Sequence, residues 1–217
     1  KPKVTVAFDG KPINNGDIVS PTTKIEISLK DENLSFPLED TSLFNIKIKY
    51  PDRKIKQIYF SQINVQFFPA TIGQNKNEAK VIIDGDFNQN GNYDLILRAK
   101  DANGNQVSDA DILTNFTIVR ESSVSNVFNY PNPFTTKTRF VYTLTGSEIP
   151  AYYKIQILTI SGKVVKEIDQ NEIGPLNIGT HITDYEYDGT DDFGTKLANG
   201  VYLYKVVFKD QSGKEIK

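Results

Sequence analysis

A chain of 217 residues has room for one large or two ordinary domains, and two modules of about 100 residues fit it best. Leu, Ile, Val and Phe make up about 29% of it, too apolar for a disordered chain, while the absence of Cys excludes disulfide scaffolds, thiolate zinc sites and cysteine nucleophiles together. One histidine (His181) leaves almost nothing for imidazole metal sites, and 25 basic against 27 acidic side chains leave no positive excess to hold a nucleic acid.

No apolar run approaches the length of a membrane span, so no transmembrane segment is expected. The chain starts at Lys1, contains no Met and shows no basic-then-apolar leader, and it reads as a processed product or an excised piece of something longer. Ile, Val and Thr far outnumber Ala, and branching at Cβ favours the pleated sheet over the helix. The 14 Gly and the many Asn provide residues that tolerate turns. The class predicted is all-β.

In chain order, Val4, Val6 and Phe8 alternate with polar neighbours before an Asp9-Gly10 turn. Ile25, Ile27 and Leu29 repeat the pattern, as do Phe44, Ile46, Ile48 and Tyr50 before Pro51-Asp52. Shorter strand candidates cover Ile55 to Phe60, Val65 to Phe68 and Ala79 to Ile83. The clearest strand carries Tyr93, Leu95, Leu97 and Ala99 between two Asn-Gly turns, and a last one carries Phe116 and Ile118. Such period-two alternation with regular turn signals is the mark of an antiparallel β-sandwich. Ser108 to Leu113 reads as one helical turn, with Ser108 or Asp109 as N-cap.

Arg120 to Asn126 is short and polar and follows a complete strand set, which makes it the best boundary, between residues 1–121 and residues 122–217. Beyond it Phe140, Tyr142 and Leu144 alternate, then Ile155, Ile157 and Thr159. Val164 and Val165 follow the turn Ser161-Gly162-Lys163, and Thr183, Tyr185 and Tyr187 lead into Asp188-Gly189. After Asn199-Gly200 the run Val201 to Phe208 is apolar on both faces, as suits a central strand covered on each side.

Few residues suggest chemistry. Asp84, Asp86, Asn88 and Asn90 place oxygen donors at alternate positions, as calcium loops do, but Gln89 stands where such a loop needs Gly and Leu95 where it needs the closing Glu. A polar hairpin turn explains the same residues. Asp188, Asp191 and Asp192 form a second acidic cluster, for which turn chemistry is the stronger reading than an acid–base pair. His181 has no accompanying nucleophile elbow or zinc-binding partner to make a triad with Ser161. Tyr50, Tyr59, Tyr152, Tyr153, Tyr185 and Tyr187 are candidates for stacking on sugars, although alternating Tyr more often covers a core. No cofactor is expected.

Around Tyr93 the sequence Gly91-Asn92-Tyr93-Asp94-Leu95-Ile96-Leu97-Arg98-Ala99-Lys100-Asp101 resembles the penultimate strand of immunoglobulin-like domains in bacterial surface proteins, with Tyr93 placed to form a tyrosine corner. In the second half Tyr130-Pro131-Asn132-Pro133-Phe134 is followed by a strand ending in Ser161-Gly162-Lys163, by Asp188-Gly189-Thr190-Asp191, and by Leu197-Ala198-Asn199-Gly200-Val201-Tyr202. This order resembles the immunoglobulin-like fold of flagellar hook capping proteins and is similar to C-terminal modules of proteins exported by the type IX secretion system. Where such modules commonly carry Trp before the DGTD turn, this chain has Tyr187.

With Phe8-Asp9-Gly10, Asn15-Gly16-Asp17-Ile18-Val19-Ser20, Lys30-Asp31-Glu32-Asn33 and Ala99-Lys100-Asp101, the first half resembles the module preceding such a domain in very large exported proteins, some of them gingipain-type cysteine peptidases, including relatives of the secretion system's sortase. The Cys and His of such an enzyme are not in this chain, so a peptidase in the parent would lie N-terminal to Lys1.

The expectation is therefore two tandem immunoglobulin-like antiparallel β-sandwiches without catalytic residues. What the resemblance implies is a C-terminal region of an exported protein, extracellular or at the cell surface and associated with the outer membrane. Its partners would be secretion or surface-attachment machinery proteins, met through strand edges and loops. Adhesion or carbohydrate binding, and stabilisation of an N-terminal peptidase, are the alternatives.

Overall fold

A computed structural model describes residues 1–71 and 76–216. The chain divides into two compact units, Lys1–Arg120 and Glu121–Lys217, and both are β-sandwiches. Among the described residues no helix is long and apolar enough to cross a membrane.

The N-terminal unit contains β1 (Lys3–Phe8), β2 (Asp17–Val19), β3 (Lys24–Asp31), β4 (Phe44–Lys49), β5 (Ile55–Gln57), β6 (Val65–Phe68), β7 (Asn77–Asp84), β8 (Gly91–Ala99) and β9 (Ile112–Ile118). They form one sheet in the order β1-β3-β7-β6 and another in the order β2-β9-β8-β4-β5. This is the immunoglobulin arrangement, A-B-E-D facing G-F-C with one added C′ strand. β2 joins it by running parallel to β9, Asp17 opposite Phe116 and Val19 opposite Ile118.

Alternation determines which side chains meet between the sheets. Ile25, Ile27 and Leu29 from β3 and Tyr93, Leu95 and Leu97 from β8 have no solvent-exposed surface and share one core. Within it Tyr93 stacks on Phe116 at 5.4 Å, and Phe87 sets its edge to both, at 4.9 and 5.2 Å. Such offset and edge-on contacts are the favoured geometries of aromatic rings.

The C-terminal unit contains β10 (Val124–Tyr130), β11 (Arg139–Leu144), β12 (Tyr152–Leu158), β13 (Val164–Asp169), α1 (Gln170–Ile173), β14 (Gly179–Ile182) and β15 (Leu203–Lys209). Its sheets are β10-β11-β14 and β13-β12-β15, matching A-B-E and C′-C-F. Phe140, Tyr142 and Leu144 from the first meet Ile155, Ile157, Ile168 and Phe208 from the second.

Several sequence expectations change. Ser108 to Leu113 forms no helical turn. The Ser108 hydroxyl accepts the Ala110 N–H at 3.2 Å in a bend, and from Ile112 the residues pair with β8. The strand expected across Thr183 to Tyr187 lies earlier, at β14, and Tyr187 retains a single bridge to Thr138. Val124 onward is already strand, with a register shift between Ser125 and Phe128. A one-turn helix, α1, which the sequence reading did not include, begins at a capping box of Asp169 and Glu172, each side chain taking the other's backbone N–H. The apolar run at β15 is an edge strand rather than a central one, with Leu203, Tyr204 and Lys205 exposed.

Candidate functional site

The stretch of oxygen donors after β7 is a fastened corner. Asp84 lies 3.4 Å from the Lys24 ammonium, and Phe87, between the polar residues, turns into the core. The Phe87 N–H donates to the Pro21 carbonyl at 2.9 Å, and the Gly85 N–H to that of Thr23 at 3.0 Å. A Cβ at Gly85 would stand 2.5 Å from that Thr23 oxygen, so the close approach needs glycine. The Asn90 side-chain oxygen accepts the Arg120 N–H at 2.9 Å, and the Asn88 carbonyl accepts from the Arg120 guanidinium at 3.4 Å. Asp86 is exposed. At the end of the corner the Tyr93 hydroxyl donates to the Gln89 carbonyl at 2.9 Å, which is a tyrosine corner. No group of three or more His, Asp or Glu side chains placed to hold a metal ion occurs among the described residues.

The second acidic cluster is divided among separate structural contacts. Asp188 accepts the Thr190 hydroxyl at 2.7 Å and its N–H at 3.2 Å. Asp191 accepts the N–H groups of Phe193 at 2.9 Å and Thr195 at 2.8 Å. Asp192 accepts the Glu167 N–H at 3.1 Å while donating its own N–H to the Val165 carbonyl at 3.1 Å, so it ties the hairpin to β13. The Thr190 hydroxyl, followed by the Lys196 charge, holds the Asp188 carboxyl below its ordinary pKa. The Glu167 carboxyl is lowered by donors from Lys154 and Gln156, and that of Glu186 by Lys137 and Arg139. A general acid needs the opposite shift.

The motif residues Tyr130 to Phe134 share a neighbourhood with Tyr187 and the turn that follows it. The Thr138 hydroxyl donates to the Pro131 carbonyl at 2.8 Å, and Thr138 and Tyr187 exchange backbone hydrogen bonds at 2.9 and 2.8 Å. The Phe134 ring lies 6.1 Å from the Tyr187 ring and 3.6 Å from where a Cβ on Gly189 would stand. Tyr187 is buried, donates its hydroxyl to the Thr190 carbonyl at 3.1 Å, and has its pKa pushed up to about 12 by burial, then by Tyr185 and Asp188. Tyr130 and the Pro131-Asn132-Pro133 bend are exposed. Gly162 turns the β12–β13 hairpin at φ 85°, whereas Gly200, after Asn199, does not adopt a left-handed backbone.

His181 and Ser161 have unrelated partners. The His181 Nε2 is 2.9 Å from the Ile178 carbonyl, and the Ser161 hydroxyl is 2.8 Å from that of Thr159. Among the tyrosines, Tyr50 packs edge-on to Tyr93, and Tyr153 donates to the Gly174 carbonyl at 2.6 Å. Tyr185 is half-buried. Tyr59 and Tyr152 face solvent but belong to different units, so neither unit assembles a row of exposed rings from these six.

One surface escaped the sequence reading. In the C-terminal unit Leu158 lies in register between Val164 and Leu203, and Ile160 and Val201 are largely exposed in the adjoining loops. Phe193 is 93% exposed at the hairpin tip. The available signal was an apolar residue at a turn position, Ile160 before Ser161-Gly162 and Val201 after Asn199-Gly200.

No known protein family and no curated protein matches the chain. Similar solved structures include dimeric latent PorU from Porphyromonas gingivalis, at 16% identity and a TM-score of 0.38, covering 100% of this chain and 19% of PorU. The C-terminal domain of the Streptococcus agalactiae AgI/II polypeptide BspA matches at 11% identity and a TM-score of 0.27, over 100% of this chain and 92% of that one. A BSP domain of a biofilm-associated protein matches at 7% identity and a TM-score of 0.22, over 98% and 52%. No functional argument follows from likenesses this distant.

Proposed function

We propose that this chain is a non-catalytic β-sandwich region of a large exported or cell-surface protein. Its C-terminal unit is recognised by secretion or surface-attachment machinery of the type IX kind at the outer membrane, and its N-terminal unit acts as a spacer and support. The two sandwiches work as separate modules, residues 1–121 and 122–217. The observation that carries the reading is the use made of the acidic side chains: in both candidate clusters carboxylates hold backbone N–H groups, hydroxyls or lysines at turns. Such a surface offers shape and apolar contact rather than acid–base chemistry.

The row Val164, Leu158 and Leu203, exposed at its two ends and half-buried at Leu158, with Ile160 and Val201 beside it, is the contact area we assign to the partner. Fusing the full chain behind a secreted reporter in a type IX-competent cell tests this. Surface display of the reporter is expected, and deletion of residues 122–217 is expected to abolish it. Display that survives the deletion would overturn the reading.

A further inference from the structure

An Asn-Gly step is open to spontaneous deamidation, because glycine leaves its backbone nitrogen unhindered beside the asparagine side chain. The chain contains the step at Asn15-Gly16, Asn90-Gly91, Asn103-Gly104 and Asn199-Gly200. The reaction needs two free groups, the asparagine carboxamide and the N–H that follows it.

At the first three steps at least one of these groups is tied. The Asn15 side-chain oxygen accepts the Asn115 N–H at 3.0 Å, and the Gly16 N–H donates to the Asn115 carbonyl at 3.0 Å. The Asn90 oxygen accepts the Arg120 N–H at 2.9 Å, and Gly91 already stands in β8 opposite Ile118. The Gly104 N–H donates to the Asp101 carbonyl at 3.0 Å. Gly16, Gly91 and Gly104 have φ of 91°, 127° and 88°, where a side chain is strained, so the turns themselves account for these glycines.

Asn199-Gly200 differs. Both residues are exposed, and among the described residues neither the Asn199 carboxamide nor the Gly200 N–H has a hydrogen-bond partner. Gly200 is not at positive φ, and a Cβ built on it would meet no atom beyond its chain neighbours nearer than 4.0 Å. The backbone there has room for alanine, so the turn does not explain the glycine. What the glycine does supply is an unhindered nitrogen next to a free carboxamide.

We propose that Asn199 is a site of spontaneous deamidation, with water as the co-reactant. The Gly200 nitrogen loses its proton to solvent base and bonds to Asn199 Cγ. The Cγ–Nδ2 bond breaks and ammonia leaves, closing a succinimide ring. Water then opens the ring: addition at Cγ gives aspartate, and addition at the backbone carbonyl carbon gives isoaspartate, linked onward through its side chain. One water is consumed, one ammonia is released and no electron is transferred. Either product sets a new carboxylate just before exposed Val201, at the border of the apolar row that ends in Leu203. The reaction does not depend on the export reading and is tested without it.

The test is incubation of the full chain in warm neutral buffer, followed by proteolysis and mass spectrometry of the Asn-Gly peptides. Conversion at Asn199 is expected to run at least about fivefold faster than at Asn15, Asn90 or Asn103, since each of those steps must first give up a native hydrogen bond. In denaturing urea the rates are expected to agree within about threefold, because the fold no longer distinguishes the steps. Gly200→Ala is expected to slow conversion at Asn199 at least about fivefold and to leave the melting temperature of the C-terminal unit within about 3 °C of the parent. Equal native rates, or faster conversion at any of the other steps, would overturn the proposal. So would the same ranking in urea, which would assign the difference to neighbouring residues rather than to the fold. A rate at Asn199 untouched by Gly200→Ala, or a larger loss of stability in that variant, would overturn it as well.

Discussion

The corresponding strands β8 and β15 show how much a sandwich depends on its second sheet edge. Both are rich in apolar residues and both lie beside a C-type strand, β4 in one unit and β12 in the other. β8 has a neighbour on each edge, and Tyr93, Leu95 and Leu97 are fully buried. β15 has one full neighbour, and the core-facing Tyr204 stays partly in water. Inward-facing apolar residues of corresponding strands therefore reach different burial, because burial of an inward residue near a sheet edge depends on the next strand as well as on the facing sheet.

The largest test of that contrast is truncation in each strand. Leu95→Ala leaves a cavity in a closed core and is expected to cost the N-terminal unit about 3 kcal/mol. Val206→Ala, at a half-buried site, is expected to cost the C-terminal unit about 1 kcal/mol or less. Calorimetry on the full chain, resolving the two transitions, measures both. Equal costs would mean that the open edge does not weaken the C-terminal core.

A smaller effect distinguishes the two buried tyrosines that donate to backbone carbonyls. Tyr93→Phe and Tyr187→Phe each remove one hydrogen bond and are each expected to cost about 1 kcal/mol. The Tyr187 pKa of about 12 lies above its ordinary value of 10.0, so folding favours the neutral phenol. Its contribution is complete below the unfolded pKa and is lost as pH rises from 10 towards 12. The Tyr187→Phe protein is therefore expected to lose less melting temperature between neutral pH and that window than the parent. An unchanged alkaline loss would assign it to the other raised tyrosines, such as Tyr142.

These contrasts also show what the residues alone revealed. The alternation of Ile25, Ile27 and Leu29 or of Phe140, Tyr142 and Leu144 places each on the buried face, since a strand's side-chain period leaves no other choice once one face is covered. The tyrosine corner was legible because Tyr93 follows Gly91 at the head of the strongest strand. β2 was not, because three residues held by a parallel ladder carry almost no periodic signal. The helical turn proposed at Ser108 lost to a local side-chain bond, the usual competitor where Ser and Asp cluster. In the candidate sites the turn bonds of Asp188 and Asp191 followed from residue type, whereas the pairing of Asp192 with β13 joins segments distant in sequence and needed the fold.

Acid acts on both units alike, through carboxylates held below their ordinary pKa. Asp94 is held below its ordinary pKa by the Asn115 amide and by Lys49, and Glu167 by Lys154 and Gln156. Depressed groups stabilise the fold above their unfolded pKa, and the contribution is lost as pH falls through the lower folded value. Both units are thus expected to hold constant stability from neutral pH to about 5 and to weaken below about 4. Because these pairs are largely solvent-screened, Asp94→Asn is expected to remove less than about 1 kcal/mol at neutral pH. A larger loss would show that the Asn115 bond organises the β8–β9 edge beyond its own strength.

The smallest expected effect concerns calcium at Asp84, Asp86, Asn88 and Asn90. Binding there would need the donors to turn towards one point, yet Asp84 pairs with Lys24 and the Asn90 oxygen holds the Arg120 N–H. Phe87, whose ring is packed on Tyr93 and Phe116, fixes the backbone between them. Gathering the oxygens would mean withdrawing that ring from the core, at a cost of about 3 kcal/mol or more. Millimolar calcium and excess chelator are therefore expected to leave the melting temperature of the N-terminal unit within about 1 °C of each other. A rise of several degrees, lost in an Asp84→Asn, Asp86→Asn double variant, would show that the corner rearranges around an ion and that the clasp to Arg120 is the weaker claim on Asn90.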